Sequence, residues 1–229
     1  MTAASTFNTF TTMLDRAELL AALESVAPLA DSGKTANPEA MKNVILAVLD
    51  DSGKRTLMTI ATNRYYIGKY TMEHDELTVE GEGDVALSIT PEGVKALVAA
   101  LKQVKTDQKI ILNVEESEIT LTLNGMVTKL VEGTSWAKAV IVEPRALMRL
   151  VQKTDSSAEP VAFNADFMAA VLKAAKNGSR AKKYGPSPSS PSVMFDTCDT
   201  KPTYITAPNH LPAWEAALMT VRIRTAGTK

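Results

Sequence analysis

The sequence predicts an α+β protein of two tandem units, each of antiparallel sheets packed on two helices. Two observations carry that expectation. A strand–helix–strands order occurs twice along the 229 residues. A turn-rich stretch, Glu132-Gly133-Thr134-Ser135, separates the two occurrences. The first unit is expected at residues 9–131 and a second, abbreviated copy at residues 136–226. Chain length suits one large domain or two ordinary ones. At 45% hydrophobic and 22% charged residues, the composition is that of a globular protein able to bury a core.

The first unit opens with Thr9 to Leu14 as a short strand and Asp15 as helix N-cap. Leu19, Leu20, Leu23, Val26 and Ala27 follow at helical spacing, and the helix ends near Pro28. Strand-like runs come next at Asn43 to Leu49, Thr56 to Thr62, Tyr65 to Thr71 and Asp84 to Ile89, with a turn at Asp51-Ser52-Gly53-Lys54 joining the first two. Thr90, Pro91 and Glu92 then form a helix start, followed by an apolar face of Val94, Leu97, Val98, Leu101 and Val104. Ile110 to Val114, Ile119 to Leu123 and Met126 to Leu130 complete the unit, the last two as a hairpin through Asn124-Gly125.

The second unit reads as a shortened copy. Trp136 to Val142 is strand-like, and Pro144 starts a helix carrying Leu147, Met148, Leu150 and Val151. After a short strand at Pro160 to Phe163, Asn164 caps a helix with Phe167, Met168, Val171, Leu172 and Ala175. A mobile loop is expected from Asn177 to Ser192, then strands at Val193 to Cys198, Thr203 to Ala207 and Ala217 to Ile223, and a frayed tail from Arg224. Both helices of a unit should lie on one face of its sheets.

Several function classes are disfavoured. The single cysteine, Cys198, rules out an intramolecular disulfide framework and a cysteine-built metal site, and its strand-like setting favours burial. The N-terminus lacks the basic flank and apolar run of a signal peptide, and the longest apolar stretches are too short to span a bilayer, so a cytoplasmic protein without a membrane partner is expected. His74 and His210 have no partner at metal-ligand or nucleophile–base spacing. Gly81 and Gly83 sit in an acidic turn without the helix that a phosphate loop needs. Glu115, Glu116 and Glu118 read as a solvated hairpin turn rather than a metal site. The expectation is therefore no enzyme, no cofactor and no metal.

Net charge is −1, which gives the whole molecule no pull toward nucleic acid. The charges are sorted, however. Lys95, Lys102, Lys105 and Lys109 are spaced along the second helix, Arg145, Arg149 and Lys153 along the third, and Lys173, Lys176, Arg180 and Lys183 along the fourth. Acids gather in strand edges and turns, such as Glu73 to Asp84 and Glu115 to Glu118. A lysine-bearing face is ordinarily just a solvated helix surface. Three such helices in one chain point instead to a basic surface suited to phosphate contacts that read no sequence. The first helix, with Asp15, Arg16, Glu18 and Glu24, is slightly acidic and does not share the pattern.

Four stretches resemble the β sliding clamp family of bacterial DNA polymerase III. Asp15-Arg16-Ala17-Glu18-Leu19-Leu20, with Leu23 and Ala27-Pro28, is similar to the family's opening strand-to-helix signature. Ala61-Thr62-Asn63-Arg64-Tyr65-Tyr66 resembles an Ala-Thr-Asp-Gly-His-Arg segment of its middle domain. Phe163 to Met168, with Val171, Leu172 and Ala174, resembles the last helix of its final domain, and Leu218-Met219-Thr220-Val221-Arg222-Ile223 its closing strand. These motifs occur in the family's order across most of the chain.

The resemblance implies a DNA-clamp, or processivity, fold: a DNA-binding replication protein that encircles duplex DNA and tethers a polymerase. Bacterial clamps have three domains per chain and form dimers, whereas two units per chain imply a homotrimer, as in bacteriophage clamps. The DNA-facing set would be Lys95, Lys102, Lys105, Lys109, Arg145, Arg149, Lys153, Lys173, Lys176 and Arg180. The replicative polymerase and clamp loader would dock short linear peptides in a pocket of Thr62, Arg64, Tyr65, Val140, Ile141, Leu218 and Met219. Little sequence separates Lys153 from Val161, where the family places several strands. That shortage keeps open an alternative, a clamp-derived binding or regulatory protein that forms no ring and captures clamp-binding peptides.

Overall fold

Strand β2 (Val44–Asp51) begins with six consecutive buried residues. An unbroken apolar run of that kind belongs to a strand covered on both faces. The computed structural model describes residues 9–31, 39–81, 83–103, 108–115, 118–131, 136–137, 144–151, 162–182, 192–197 and 202–220. In it β2 lies inside an eight-stranded sheet. Val44, Leu46 and Val48 enter one hydrophobic cluster, and Ile45, Ala47 and Leu49 enter another on the opposite face.

The fold is α+β, with two antiparallel sheets and four α-helices among the described residues. One sheet holds β1 (Thr9–Asp15), β5 (Glu76–Glu80), β7 (Lys109–Val114), β8 (Glu118–Leu123) and β9 (Met126–Val131), in the order β5-β1-β7-β8-β9. The other adds to β2 the strands β3 (Lys54–Thr62), β4 (Tyr66–Thr71), β6 (Val85–Ile89), β10 (Trp136–Ala137), β11 (Met194–Asp196), β12 (Thr203–Ala207) and β13 (Leu211–Leu218). Its order is β10-β6-β2-β3-β4-β13-β12-β11. Strands from the two sequence halves meet at β4 and β13, paired antiparallel from Tyr66 opposite Leu218 to Tyr70 opposite Trp214. Residues on both sides of Glu132 to Ser135 thus share one sheet and one buried cluster.

Local chemistry accounts for the turns and helix starts. Ser52 and Gly53 take φ of 55° and 90° between β2 and β3, and Asn124 and Gly125 take 46° and 79° between β8 and β9, the paired positive values that suit the twist of a two-residue hairpin. Thr90 caps α2 (Pro91–Lys102) by accepting from the Gly93 N–H at 3.1 Å. Asn164 Oδ1 caps α4 (Ala165–Lys182), accepting from the N–H groups of Asp166 and Phe167. Asp15 occupies the N-cap of α1 (Arg16–Val26) without a side-chain cap bond.

Helix α1 is the centre of the main core, and only Ala17 and Glu24 escape full burial. It packs on β3 and β4, on α2 and most extensively on α4. The α1–α4 crossing is close: a Cβ at Gly178 would lie 2.5 Å from Ser25 Cβ and 2.6 Å from Leu211 Cδ2. Trp214, fully buried, locks the same junction by donating its indole N–H to the Ser25 carbonyl at 3.1 Å. The polar groups of α1 are matched internally, since Arg16 donates to the Leu101 carbonyl and Glu18 accepts from Tyr70 OH and the Glu73 N–H.

The structure corrects five expectations. Strand β5 runs through the acidic stretch read as strand edges and turns, where no strand was expected; alternation buries Val79 while the acids face outward. The segment 177–182 is helical, because Gly178 is needed for the α1 contact rather than for a break. The last described strand is Leu211–Leu218, not Ala217 to Ile223. Lys109 stands on β7, beyond the end of α2 at Lys102, so it does not continue that helix's basic row. Helix α3 (Pro144–Leu150) contacts β2 and β4 from the far side of the eight-stranded sheet, burying Leu147 and Val151 against Ile45, Ala47, Leu49 and Ile67. It does not share a face with the other helices. Val104, Lys105, Val140, Ile141, Lys153, Lys183 and Cys198 lie outside the described residues, as does the tail from Arg224.

Candidate nucleic-acid face and partner pocket

With α1 buried between them, α2 and α4 supply the outer surface of the helical face. Helix α2 buries Val94, Leu97, Ala100 and Leu101 and turns Lys95 and Lys102 outward. Helix α4 buries Val171, Ala174, Ala175 and Ala181 and exposes Lys173 and Arg180, with Lys176 half-buried. Lys95 and Lys173 line one cleft, and Lys102 and Arg180 line a second together with Arg16 and Glu24. Lys102 is paired with Glu24. Lys95, Lys173, Lys176 and Arg180 make no ion pair among the described residues. Unpaired cations on neighbouring helices are available to phosphate oxygens.

The other predicted cations are placed differently. Arg145 is clamped by acids: its guanidinium donates to both carboxylate oxygens of Asp84, to Asp51 at 2.7 Å and to the Asp50 carbonyl at 2.8 Å. Burial pushes the Asp84 carboxyl up, but the bonds from Arg145 and the Asp50 N–H outweigh it and hold the group below the usual range. Arg149 is exposed on α3, across the sheet from Lys95 and Lys173. Lys109 bridges Asp15 at 3.0 Å and Asp75 at 2.7 Å, which raises its pKa.

The described residues of the expected peptide pocket gather around the link between β3 and β4. Asn63 Oδ1 accepts from the N–H groups of Tyr65 and Tyr66 at 3.1 and 3.2 Å, and Thr62 donates its hydroxyl to the Tyr66 carbonyl at 2.9 Å. Those bonds hold Arg64 in the left-handed region at φ 80°, with its side chain exposed. A non-glycine residue there carries strain that its surroundings must support. Met219 N–H donates to the Tyr65 carbonyl at 2.8 Å, which brings the end of β13 to this turn. Tyr65 and Met219 remain 46% and 47% exposed, whereas Thr62 and Leu218 are buried and act as framework.

Phe167, read from sequence only as a core position of its helix, completes this surface. Its ring stacks on Tyr65 with centroids 4.8 Å apart and 19° between planes, and meets Tyr66 edge-on at 5.5 Å. Both contacts contribute beyond simple burial. The Asn164 cap fixes the place of Phe167 in the first turn of α4, but no signal in the sequence ties it to the β3–β4 link. Burial, then the charge of Asp31, raises the Tyr66 pKa. Among the described residues no three His, Cys, Asp or Glu side chains gather as a metal site, and no helix is long and apolar enough to cross a membrane.

Two antiparallel sheets backed by α2, α1 and α4 constitute a sliding-clamp fold. The chain superposes on bacterial DNA polymerase III β sliding clamps over nearly its whole length. A DNA polymerase sliding clamp from Caulobacter crescentus matches with a TM-score of 0.62 at 12% identity, covering 96% of this chain and 67% of that one. The DNA polymerase III β subunit from Borrelia burgdorferi, solved with a natural product, gives 0.64 at 8% identity, with 93% and 63% covered. That from Thermotoga maritima gives 0.57 at 9%, with 94% and 65% covered. The chain therefore spans about two thirds of the length of these clamps. No protein-family model and no curated protein matches the sequence.

Proposed function

We propose that this protein is a DNA polymerase processivity factor that encircles duplex DNA as a ring. The observation that carries the reading is the set of unpaired cations, Lys95, Lys173, Lys176 and Arg180, side by side on α2 and α4 of a clamp fold. Such a surface gives affinity without sequence readout, as sliding requires. Retention comes from topology, and the protein carries out no chemistry of its own. Lys102 adds to the face at its edge. Arg145 and Arg149 are dropped from the duplex-facing set, because α3 covers the opposite side of the sheet.

Residues 9–131 and 136–226 serve as two clamp units, and three copies would supply the six units of a closed ring. The junction of β4 with β13 is a pattern for how units join, edge strand to edge strand. Strand β9 stands in the first half where β13 stands in the second, each the third strand after a helix. It ends the strand order of its sheet among the described residues, and Val127 is 51% exposed. Lys129 is the one charged residue on β9 and is paired with Glu118, and in this reading the edge is the one that assembles. The surface of Tyr65, Phe167, Arg64 and Met219 would take a short peptide from the polymerase or clamp loader, an apolar side chain packing on the rings.

A second reading is favoured by one observation. Among the described residues the second half offers no counterpart of β2, β3 and β4, which leaves β9 without an obvious mate. In that reading the protein is a clamp-derived, non-ring regulator that captures peptides at Tyr65 and Met219. Solution mass by light scattering separates the two. A concentration-independent trimer supports the ring; a monomer at high concentration overturns it in favour of the regulator.

A further inference from the structure

The turn that follows α1, the first turn of α2 and the middle of α4 enclose an open cleft of about 570 Å³. It lies apart from the Tyr65 and Met219 surface: neither those two residues nor Phe167 lines it. Ala27, Pro28, Ala30, Pro91 and Ala170 line it with apolar surface, and the buried Val44 and Val94 form its floor. Lys42, Lys95 and Lys173 add three cations, against the single carboxylate of Asp31.

The combination selects among ligands. A nucleobase would require an aromatic ring to stack on, and the lining contains none. A free phosphate would have no use for the apolar floor. We propose that this cleft binds an acidic–apolar peptide segment of a partner protein. One aliphatic side chain would lie on Val44 and Val94, and a neighbouring carboxylate would sit between Lys95 and Lys173. Charge complementarity names the occupant, because an apolar floor ringed by lysines fits an aliphatic residue flanked by acids. The two cations belong also to the proposed duplex face, so a bound peptide would cover part of it and oppose DNA binding. Peptide binding itself does not depend on ring formation.

The test uses the full chain without DNA and a fluorescein-labelled twelve-residue peptide of alternating Glu and Leu, read by anisotropy. Companion peptides alternate Lys with Leu and Glu with Ser. Saturable binding is expected for the Glu/Leu peptide and binding weaker by about tenfold or more for either companion. The double variant Lys95→Glu/Lys173→Glu should lose a similar factor, and Ala170→Phe, which fills the cleft, should lose it without changing charge. Lys95→Gln/Lys173→Gln serves as the milder pair should the reversal unfold the chain, with thermal unfolding followed by circular dichroism. Absence of saturable binding, equal affinity for the Lys/Leu peptide, or unchanged affinity in folded variants overturns the proposal. A protein that binds a short duplex but not the peptide would refute this cleft while leaving the clamp reading intact.

Discussion

The two faces of the eight-stranded sheet are built from alternate residues of the same strands, yet they hold their charges in opposite ways. On the α1–α4 face, Val44, Leu46, Val48, Tyr70 and Trp214 lie under a helix pair whose outer cations are mostly unpaired. On the α3 face, Ile45, Ala47, Leu49 and Ile67 lie under one short helix whose Arg145 is tied to Asp51 and Asp84. Buried Lys69 on that side is paired with Glu215 at 3.0 Å, and Glu215 also accepts from Tyr204 OH. The Tyr204 hydroxyl is correspondingly held above its usual pKa, by burial and then by Glu215. A cation's role thus depends on which face its helix covers. Charge spacing along a helix does not reveal that.

The largest contrast should appear in stability. Trp214→Ala removes a fully buried indole and its bond to Ser25, and about 3–5 kcal/mol should be lost in urea unfolding. Leu147→Ala, on the face carrying α3, should cost nearer 2 kcal/mol, at the lower end for such truncations, because one short helix can settle into the gap. Equal losses would mean that the two faces are one cooperative core without a dominant side.

Duplex binding should separate the faces next. Lys173→Glu with Lys176→Glu is expected to weaken association with a short duplex by about tenfold or more at moderate salt and to flatten its salt dependence. Arg149→Glu should change it by less than about twofold, since α3 points away from the helical face. Equal effects from both faces would break the assignment of the duplex to α2 and α4.

The smallest effect concerns acid. Asp84 titrates below its ordinary value when folded, so its contribution is present at neutral pH and above the unfolded-state pKa of an aspartate. It is lost as pH falls through the lower folded value. Because Asp84 is partly exposed, screening keeps the contribution small. Hydrogen exchange in α3 should rise below about pH 4 while that in α1 stays slow. Arg145→Ala should produce the same loosening at neutral pH; loosening of α1 and α3 together would contradict it.

What the sequence made legible was chemistry that acts within a few residues. Thr90-Pro91, Asn164 and Asn124-Gly125 each fix a helix start or hairpin through their own backbone preferences, and each stands where its type predicts. Position 178 shows the limit: a glycine following Asn177 reads as a break, yet it is held in helix because α1 passes within reach of a Cβ. Likewise β5 reads as an acidic turn, and only its pairing with β1, from Thr9 opposite Glu80 to Met13 opposite Glu76, makes it a strand. The aromatic cluster at the β3–β4 link shows the same limit. Met219 bonds to Tyr65 there, but Phe167 arrives from a helix about a hundred positions away, and no spacing rule connects it.

Encirclement is a topological property, and retention on circular DNA reads it out. The protein would be loaded on a nicked circular duplex with its cognate loader, washed in high salt, and its release followed before and after a single restriction cut. A ring should stay on the circle through the wash and leave rapidly once the DNA is linear. Release at the same rate from circular and linear DNA would contradict encirclement.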